Sequence, residues 1–249
     1  MLPPGFERLL LAHAVAVARA DVVAGVRRAL GNVDGTRVTL HEYAARHPAA
    51  RLLHGRGSAY AVPLPQTSFR VVIRHNRHGG ALARITRDLF IAPTRAPYEL
   101  DVSRKLADVG VPTPEVLAYA LYPRSGLLQR SDVCSREIPG GRDLAQVLTG
   151  EGPAERQSAL QATARLVAAM SRAGARHHDL NAKNVLIAQD RAYLLDVDRV
   201  ALGVSPDAAF RGNLDRLARS LRKWRDRFGA RVSERDISSL DAAARAATH

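Results

Sequence analysis

The chain has 249 residues, of which 46% are hydrophobic and 24% are charged, values that exclude wholesale disorder and collagen-like or low-complexity chains. The formal net charge is +13, and lysine occurs only at positions 105, 183 and 223, so almost every basic residue is arginine. A GC-rich genome produces the same arginine bias as selection for an anionic partner, so charge alone favours neither origin.

The cysteine content and the apolar runs restrict the cellular environment. Cys134 is the only cysteine, which excludes an intramolecular disulfide and a cysteine-based zinc site, and we expect it to be a small buried hydrophobe. The apolar run over 9–18 is too short to span a membrane and lacks a clean basic region before it. We therefore expect a cytoplasmic protein, with peripheral contact at the cytoplasmic face of the inner membrane left open.

Apolar residues in the first part of the chain recur at helical spacing. This pattern covers residues 6–30 and stops at Gly31, which predicts an N-terminal helix or helix pair and a helical extension over 1–50. From residue 37 onward, short β-branched runs such as 69–73 alternate with Gly, Pro and Ser. Runs of this kind predict strands and hairpins.

Helices and strands then alternate to the end of the chain. Helices are predicted over 97–109, over 154–174 with Gly174 as its stop, and around Leu214–Trp224. Strands are predicted over 115–121, 126–134, 185–188 and 192–197. The pattern predicts an α+β, bilobal fold with a strand-rich N-lobe over 51–134 and a helix-rich C-lobe over 135–249.

The segment from His177 to Ile187 carries the most informative spacing. Asp179 and Asn184 lie five residues apart on a loop before a strand, and Asp196 ends the next strand. Phosphoryl transfer requires one carboxylate to accept the proton of the attacking hydroxyl, and an amide oxygen with a second carboxylate to hold Mg²⁺ against the phosphates. The alternative is that the three residues only form turns and close a strand.

This pattern resembles the protein-kinase-like superfamily, whose catalytic loop is H-R-D-x-x-x-x-N and whose metal-binding strand ends in D-F-G. In this chain His178 stands at the Arg position and Asp198 at the Gly position. The narrower strings H-x-D-L-N-A-x-N-V-L, L-x-D-x-D-R and N-L-x-R-L-x-R-S-L-x-K, the last beginning at Asn213, resemble the lipopolysaccharide core kinases. Within that family the type acting on 3-deoxy-D-manno-octulosonic acid (Kdo) is the most similar, over residues 54–224.

The resemblance implies an ATP-dependent kinase that uses Mg²⁺ and a sugar hydroxyl of a lipopolysaccharide precursor. It implies that Asp179 is the catalytic base and that Asn184 and Asp196 are the metal ligands. Gly55 and Gly57 would lie in the loop over the phosphates, where the absence of a Cβ lets backbone N–H groups approach. A plain hairpin turn is the alternative for these two glycines.

The phosphate-binding cation departs from the kinase pattern, because no lysine falls in 69–75. Arg74 stands at the apt place, at the end of the predicted strand, and Glu99 on the next predicted helix can pair with it. Arginine can serve electrostatically, although it keeps its proton and prefers bidentate geometry. The alternatives are an exposed strand-end arginine and a solvated glutamate.

Two basic clusters, over 70–95 and 211–227, suggest how an anionic glycolipid or sugar acceptor is held. A solvated arginine-rich face is the alternative. His75, His78, His177 and His178 are not predicted to bind a metal, and His177 is expected to brace the catalytic loop.

Three other functions stay open. One is a small-molecule phosphotransferase with another acceptor, such as an aminoglycoside, although such enzymes typically have acidic acceptor sites. The second is a non-catalytic nucleotide-binding pseudokinase, which the missing lysine favours. The third is nucleic-acid binding, which charge alone suggests; without a recognition helix or an aromatic platform we expect no nucleic-acid partner.

Overall fold

A computed structural model describes residues 2–31, 37–53, 59–76, 90–91, 94–123 and 128–248. The chain divides into two compact units. Met1–Asp101 and Glu115–Glu137 form the first, and Val102–Pro114 and Ile138–His249 form the second. The α+β fold class predicted from the sequence is confirmed, since strands dominate the first unit and helices the second.

The first unit is built on one antiparallel sheet. Its described strands are β1 (Phe6–Leu11), β2 (Ala14–Arg19), β3 (Arg51–Leu53), β4 (Ala59–Pro63), β5 (Arg70–His75), β6 (Phe90–Ile91), β7 (Val116–Pro123) and β8 (Leu128–Arg136). They are ordered β1-β2-β7-β8-β5-β4-β3, and β6 also pairs with β8. Strand β5 therefore lies inside the sheet, with Arg74 opposite Ala59 on one side and Val133 on the other.

The helix predicted over 6–30 is wrong in its first half. Residues 6–19 form the hairpin β1–β2, in which Leu9 pairs with Ala16, and β2 pairs in turn with β7. Both faces of β2 are covered, since Ala16 and Ala18 pack into one hydrophobic cluster and Val17 into another with Leu100, so the strand has a continuous apolar run rather than an alternating one. The expected helical extension over 1–50 is corrected accordingly: the hairpin belongs to the sheet of the first unit.

Among the described residues, two helices and the first half of a third belong to the first unit. They are α1 (Val23–Leu30), α2 (Leu40–Arg46) and α3 (Ala96–Asp108). Helix α1 ends before Gly31 as the sequence predicted, and α3 confirms the helix predicted over 97–109. Helix α2 begins at a capping box in which the side chains of Thr39 and Glu42 each accept a backbone N–H of the other residue.

The second unit surrounds its own hydrophobic core. Its helices are α4 (Leu144–Gly150), α5 (Pro153–Arg172), α6 (Pro206–Phe228) and α7 (Glu234–Ala246). Its short strands are β9 (Arg142–Asp143), β10 (Arg176–His177), β11 (Val185–Ala188), β12 (Arg191–Leu194) and β13 (Val200–Ala201). Strand β11 pairs with β12 and β9, and β10 pairs with β13.

Most predicted elements of the second unit are confirmed. Strand β11 has the predicted bounds, whereas β12 ends three residues earlier than predicted because the backbone leaves the strand before Asp196. Helix α5 stops where predicted: Gly174 has φ +58°, and a Cβ there would lie 2.4 Å from the carbonyl oxygen of Val204. The core lies between α5, α6, α7 and the β11–β12 hairpin.

Candidate active site

The predicted catalytic loop joins β10 to β11 in the second unit. Asp179 lies on this loop with an exposed side chain, and a single 3₁₀ turn, Ala182–Asn184, leads into β11. Asn181 starts the turn, because its side-chain oxygen accepts the N–H of Lys183 at 2.9 Å. The carbonyl of Asn181 accepts the N–H of Asn184, also at 2.9 Å, and closes the turn.

His177 is fully buried beneath the loop and bonds through both ring nitrogens. Its Nδ1 accepts the N–H of Asp179 at 3.0 Å, so Nε2 carries the proton and donates to the carbonyl of Leu195 at 3.2 Å. Burial lowers the pKa of His177, which favours this neutral form. The prediction that His177 braces the loop is confirmed.

Asn184 connects the loop to the end of β12. Its side-chain N–H donates to the carbonyl of Asp179 at 2.9 Å, and its own carbonyl accepts the N–H of Leu195 at 2.9 Å. Because the amide nitrogen is engaged, the amide oxygen is left as an acceptor, and it bonds to no other residue within the described ranges. Asp179, Asn184 and the residue before Asp196 are thus held together by successive hydrogen bonds.

Asp196 directly follows this junction. Its backbone is left-handed, with φ +53° and ψ +47°, and its side chain is exposed. The carbonyl of Asp196 accepts the N–H of Arg199, and the carbonyl of Arg199 accepts the N–H of His178 at 2.9 Å. The strand end is therefore bonded to the catalytic loop a second time. Asp198, at the position of the family glycine, contacts Arg199 at 3.9 Å.

Helix α6 supports the loop through two polar side chains whose roles the sequence did not reveal. Asn213 is fully buried; its oxygen accepts the N–H of His177 and its nitrogen donates to Ala175, each at 2.9 Å. Ser220 accepts the N–H of Ala182 at 3.0 Å. These residues are seven apart, which places them on the same side of the helix. The seven-residue spacing of two polar side chains was the one sequence feature that indicated this shared role.

The oxygen atoms of this cluster suit a magnesium ion. Asp196 supplies a carboxylate and Asn184 a free amide oxygen, and Mg²⁺ prefers such hard ligands together with water and substrate phosphates. Among the described residues, no group of three or more His, Cys, Asp or Glu side chains could hold a metal. An ion here would therefore depend on the Asn184 amide and on phosphate oxygens.

The predicted partner of Arg74 is found in the first unit. The Arg74 guanidinium forms an ion pair with Glu99, which is only 4% exposed, and a second nitrogen donates to the side-chain oxygen of Asn76 at 3.0 Å. Contacts from two different nitrogens to two side chains fix the orientation of the guanidinium group. Gly55 and Gly57 lie outside the described residues.

His75, which follows Arg74 in β5, is fixed by a buried carboxylate. Asp132, which is fully buried, contacts Nδ1 of His75 at 2.5 Å and accepts from the Tyr122 hydroxyl at 2.9 Å. Burial and the Asp132 charge raise the pKa of Tyr122 well above its usual value, so its hydroxyl stays protonated and donates. The same carboxylate accepts the N–H of His41 at the start of α2. These contacts anchor the end of the strand that carries Arg74.

The two basic clusters differ in how much the structure describes. Most of 77–95 lies outside the described residues. In the cluster over 211–227, Arg222 and Arg225 both bond to Glu234, and these two guanidinium groups lower the pKa of Glu234 to about 2.

Cys134 is fully buried, and burial raises the pKa of its thiol to about 12, which confirms the expected apolar role.

The sequence of this chain is similar to lipopolysaccharide kinases, both in a family model and in individual relatives. A sequence model of the lipopolysaccharide kinase (Kdo/WaaP) family matches residues 46–243. The chain is 34% identical over 193 residues to 3-deoxy-D-manno-octulosonic acid kinase of Stenotrophomonas maltophilia (strain K279a), covering 75% of this chain and 74% of the relative. The enzyme of that name from Vibrio parahaemolyticus serotype O3:K6 is 32% identical over 200 residues, covering 75% of this chain and 81% of the relative.

Among solved structures, the chain is similar to WaaP in complex with acyl carrier protein. The sequence identity is 18%, and the match covers 82% of this chain and 90% of that chain with a TM-score of 0.46.

Proposed function

We propose a reaction for this chain on the basis of its family: the chain belongs to the lipopolysaccharide kinase (Kdo/WaaP) family. It is a sugar kinase of lipopolysaccharide core biosynthesis with a protein-kinase-like fold. The phosphate donor that we propose is ATP with Mg²⁺. The acceptor is a Kdo residue of a lipid A precursor, because relatives with a third of their residues in common are named Kdo kinases.

Asp179 is the proposed general base. The hydroxyl oxygen of the sugar forms a bond to the γ-phosphorus as the bond to the β,γ-bridging oxygen breaks, ADP leaves, and the hydroxyl proton passes to the Asp179 carboxylate. The exposed carboxylate is accessible to an acceptor, and its backbone N–H is fixed by the neutral His177 ring. A bound Mg²⁺ would neutralise phosphate charge, and Asn184 and Asp196 would hold it.

Arg74 is the proposed phosphate-binding cation, with Glu99 as its positioning residue. The ion pair and the bond to Asn76 support this role, because they fix the guanidinium at the end of β5. Its permanent charge allows it to serve in place of lysine. Gly55 and Gly57 keep their proposed role in the phosphate loop.

The observation that carries the proposal is the hydrogen-bond chain from His177 through Asp179 and Asn184 to Leu195, beside Asp196. The decisive test compares Asp179→Asn with Asp207→Asn, an exposed carboxylate at the start of α6. Transfer of labelled γ-phosphate from ATP to a Kdo-bearing lipid A precursor should fall by about 10²–10⁴-fold in Asp179→Asn, the usual contribution of a general base. Asp207→Asn should retain the wild-type rate.

Circular dichroism and Mg-ATP binding should be unchanged in Asp179→Asn, because the backbone contacts of that residue persist. Equal transfer by Asp179→Asn and wild type would overturn the assignment of the base. Wild-type binding of Mg-ATP without transfer to any acceptor would instead indicate a pseudokinase.

The location of the protein belongs to the same proposal. Among the described helices, none has the length and apolarity required to cross a bilayer. We propose that the chain works in the cytoplasm and meets its anionic glycolipid at the inner membrane, which the net charge of +13 favours.

A further inference from the structure

We infer that one flank of α6 binds the anionic groups of the sugar acceptor. This surface, the acceptor flank, consists of Arg216, Lys223, Trp224 and Arg227, joined by Lys183 of the catalytic loop. The inference rests on the proposed function and specifies which part of the second unit recognises the acceptor.

The geometry of α6 places these side chains beside the catalytic loop. Arg216, Ser220 and Arg227 are spaced by four and seven residues, so they lie along one side of the helix, with Lys223 and Trp224 on either side of that line. Ser220 bonds to the loop through the N–H of Ala182, and Trp224 lies beneath the Lys183 ammonium at 5.4 Å from the ring centre. The flank is therefore in direct contact with the turn that follows Asp179.

Three of the four cations of this flank have no carboxylate partner within the described part of the chain; the fourth, Lys183, lies 3.8 Å from Asp143. Arg222 and Arg225 are paired with Glu234, and Arg225 also bonds to Asp226. Arg216, Lys223 and Arg227 form no ion pair with a described residue, and Lys223 and Arg227 are exposed. Cations without carboxylate partners beside a catalytic loop attract phosphate or carboxylate groups of a substrate.

Aromatic surface next to these cations indicates a sugar. Trp224 is partly exposed and packs against Phe228 with ring centres 4.5 Å apart, and Phe228 is 53% exposed. Aromatic faces cover the apolar C–H surface of a pyranose, while neighbouring cations bind its acidic substituents. Lys183 is held between Trp224 and Asp143, at 3.8 Å from the carboxylate, which fixes the end of the flank nearest to the loop. The chemical class that fits is a phosphorylated and carboxylated sugar headgroup.

Trp224 is the only tryptophan of the chain, so its fluorescence reports binding at this flank directly. The protein is titrated with a Kdo-bearing, phosphorylated lipid A precursor in neutral detergent micelles. We expect a saturable change in Trp224 emission. In Arg216→Gln/Arg227→Gln, the half-saturation concentration and the acceptor KM should both rise at least about tenfold, the loss of one charge-assisted hydrogen bond. The value of kcat should stay within about twofold, because these groups do not take part in proton transfer.

The matched control is Arg191→Gln/Arg235→Gln, which removes the same charge from exposed arginines outside α6. It should keep the wild-type affinity and KM. Unfolding curves for both double variants identify any loss of folding, and Lys223→Gln provides a milder second variant on the flank.

Two results would overturn the inference while the proposed function stands. One is an unchanged KM and titration in Arg216→Gln/Arg227→Gln while the wild type phosphorylates the acceptor. The other is an equal emission change with neutral detergent micelles that contain phosphatidylglycerol at matched charge in place of the Kdo-bearing lipid, which would define a general anionic lipid surface. Failure of the proposed function would show differently, as an absence of wild-type transfer whatever the fluorescence titration gives.

Discussion

At the residue scale, Asp196 combines an unfavourable backbone conformation with the carboxylate that we propose as a metal ligand. A left-handed conformation costs an ordinary L-residue about 1–2 kcal/mol, and glycine adopts it without that cost. Asp196→Gly should therefore be more stable than Asp196→Ala by about 1 kcal/mol, the reverse of the usual order in an ordered segment. Both variants should lose phosphoryl transfer, since both lack the carboxylate.

Urea unfolding of the two variants measures this difference in stability, and Asp196→Asn supplies the control, because asparagine tolerates the left-handed region. If Asp196→Ala were the more stable of the pair, the backbone at this position would not be strained. The sequence predicts a metal-binding aspartate at this position but does not predict its left-handed backbone, because no local residue pattern marks such a turn.

A second residue-scale prediction concerns His177 and pH. Burial lowers its pKa in the folded protein below the reference value of 6.5, so between the folded pKa and about pH 6.5 the unfolded chain binds more protons than the folded one. Stability contributed by the neutral ring is thus present above about pH 6.5 and is lost as the pH falls through this range. The free energy of unfolding should decrease between pH 7.5 and 5.5 more steeply in the wild type than in His177→Gln.

The comparison of slopes removes the contribution of the other histidines, which both proteins share. At pH 7.5 the variant should be less stable by about 1–3 kcal/mol, because the N–H of Asp179 and the carbonyl of Leu195 lose their buried partner. Parallel slopes in the two proteins would mean that His177 titrates normally.

At the element scale, the hairpin β1–β2 shows where local pattern fails. Both the helical and the strand period fit the short apolar runs of residues 6–19, and only pairing with β7 decides between them. By contrast, α5 and β11 were predicted well, because a long amphipathic run with a glycine stop and a short apolar run next to a turn leave little ambiguity. The bonds of Asn213 and Ser220 to the loop were missed, since their partners are distant in the sequence.

Two adjacent leucines of β1 test the hairpin. Leu9 is 2% exposed and belongs to the core of the first unit, whereas Leu10 is 69% exposed. Strand geometry sends neighbouring side chains to opposite faces. Leu9→Ala should lower the free energy of unfolding by about 2–5 kcal/mol. Leu10→Ala should change it by less than about 0.5 kcal/mol. Similar effects at both positions would contradict the strand.

At the scale of the whole molecule, each unit has its own core and its own share of the predicted chemistry. The second unit contains Asp179, Asn184 and Asp196, and the first contains the Arg74–Glu99 pair. The sequence predicts roles for these residues because the motifs that contain them are short and local. It misplaced the boundaries, since the segment Val102–Pro114 joins the core of the second unit through long-range contacts that leave no local signal. The match to the family model begins at residue 46, so it does not include the hairpin β1–β2.

The charge of the whole molecule sets the last expectation. With a net charge of +13 and the anionic acceptor that we propose, encounter and binding should depend on ionic strength. The screening length falls from about 10 Å at 0.1 M salt to about 3 Å at 1 M, so exposed cations lose most of their attraction over this range. The acceptor KM should therefore rise several-fold between 0.1 and 0.5 M NaCl, while kcat, which depends on groups in contact, changes little. In Arg216→Gln/Arg227→Gln the same increase in salt should raise KM less, because the two contacts that salt would screen are already absent. If KM rose equally with salt in the wild type and the variant, the salt dependence would come from charges elsewhere on the molecule.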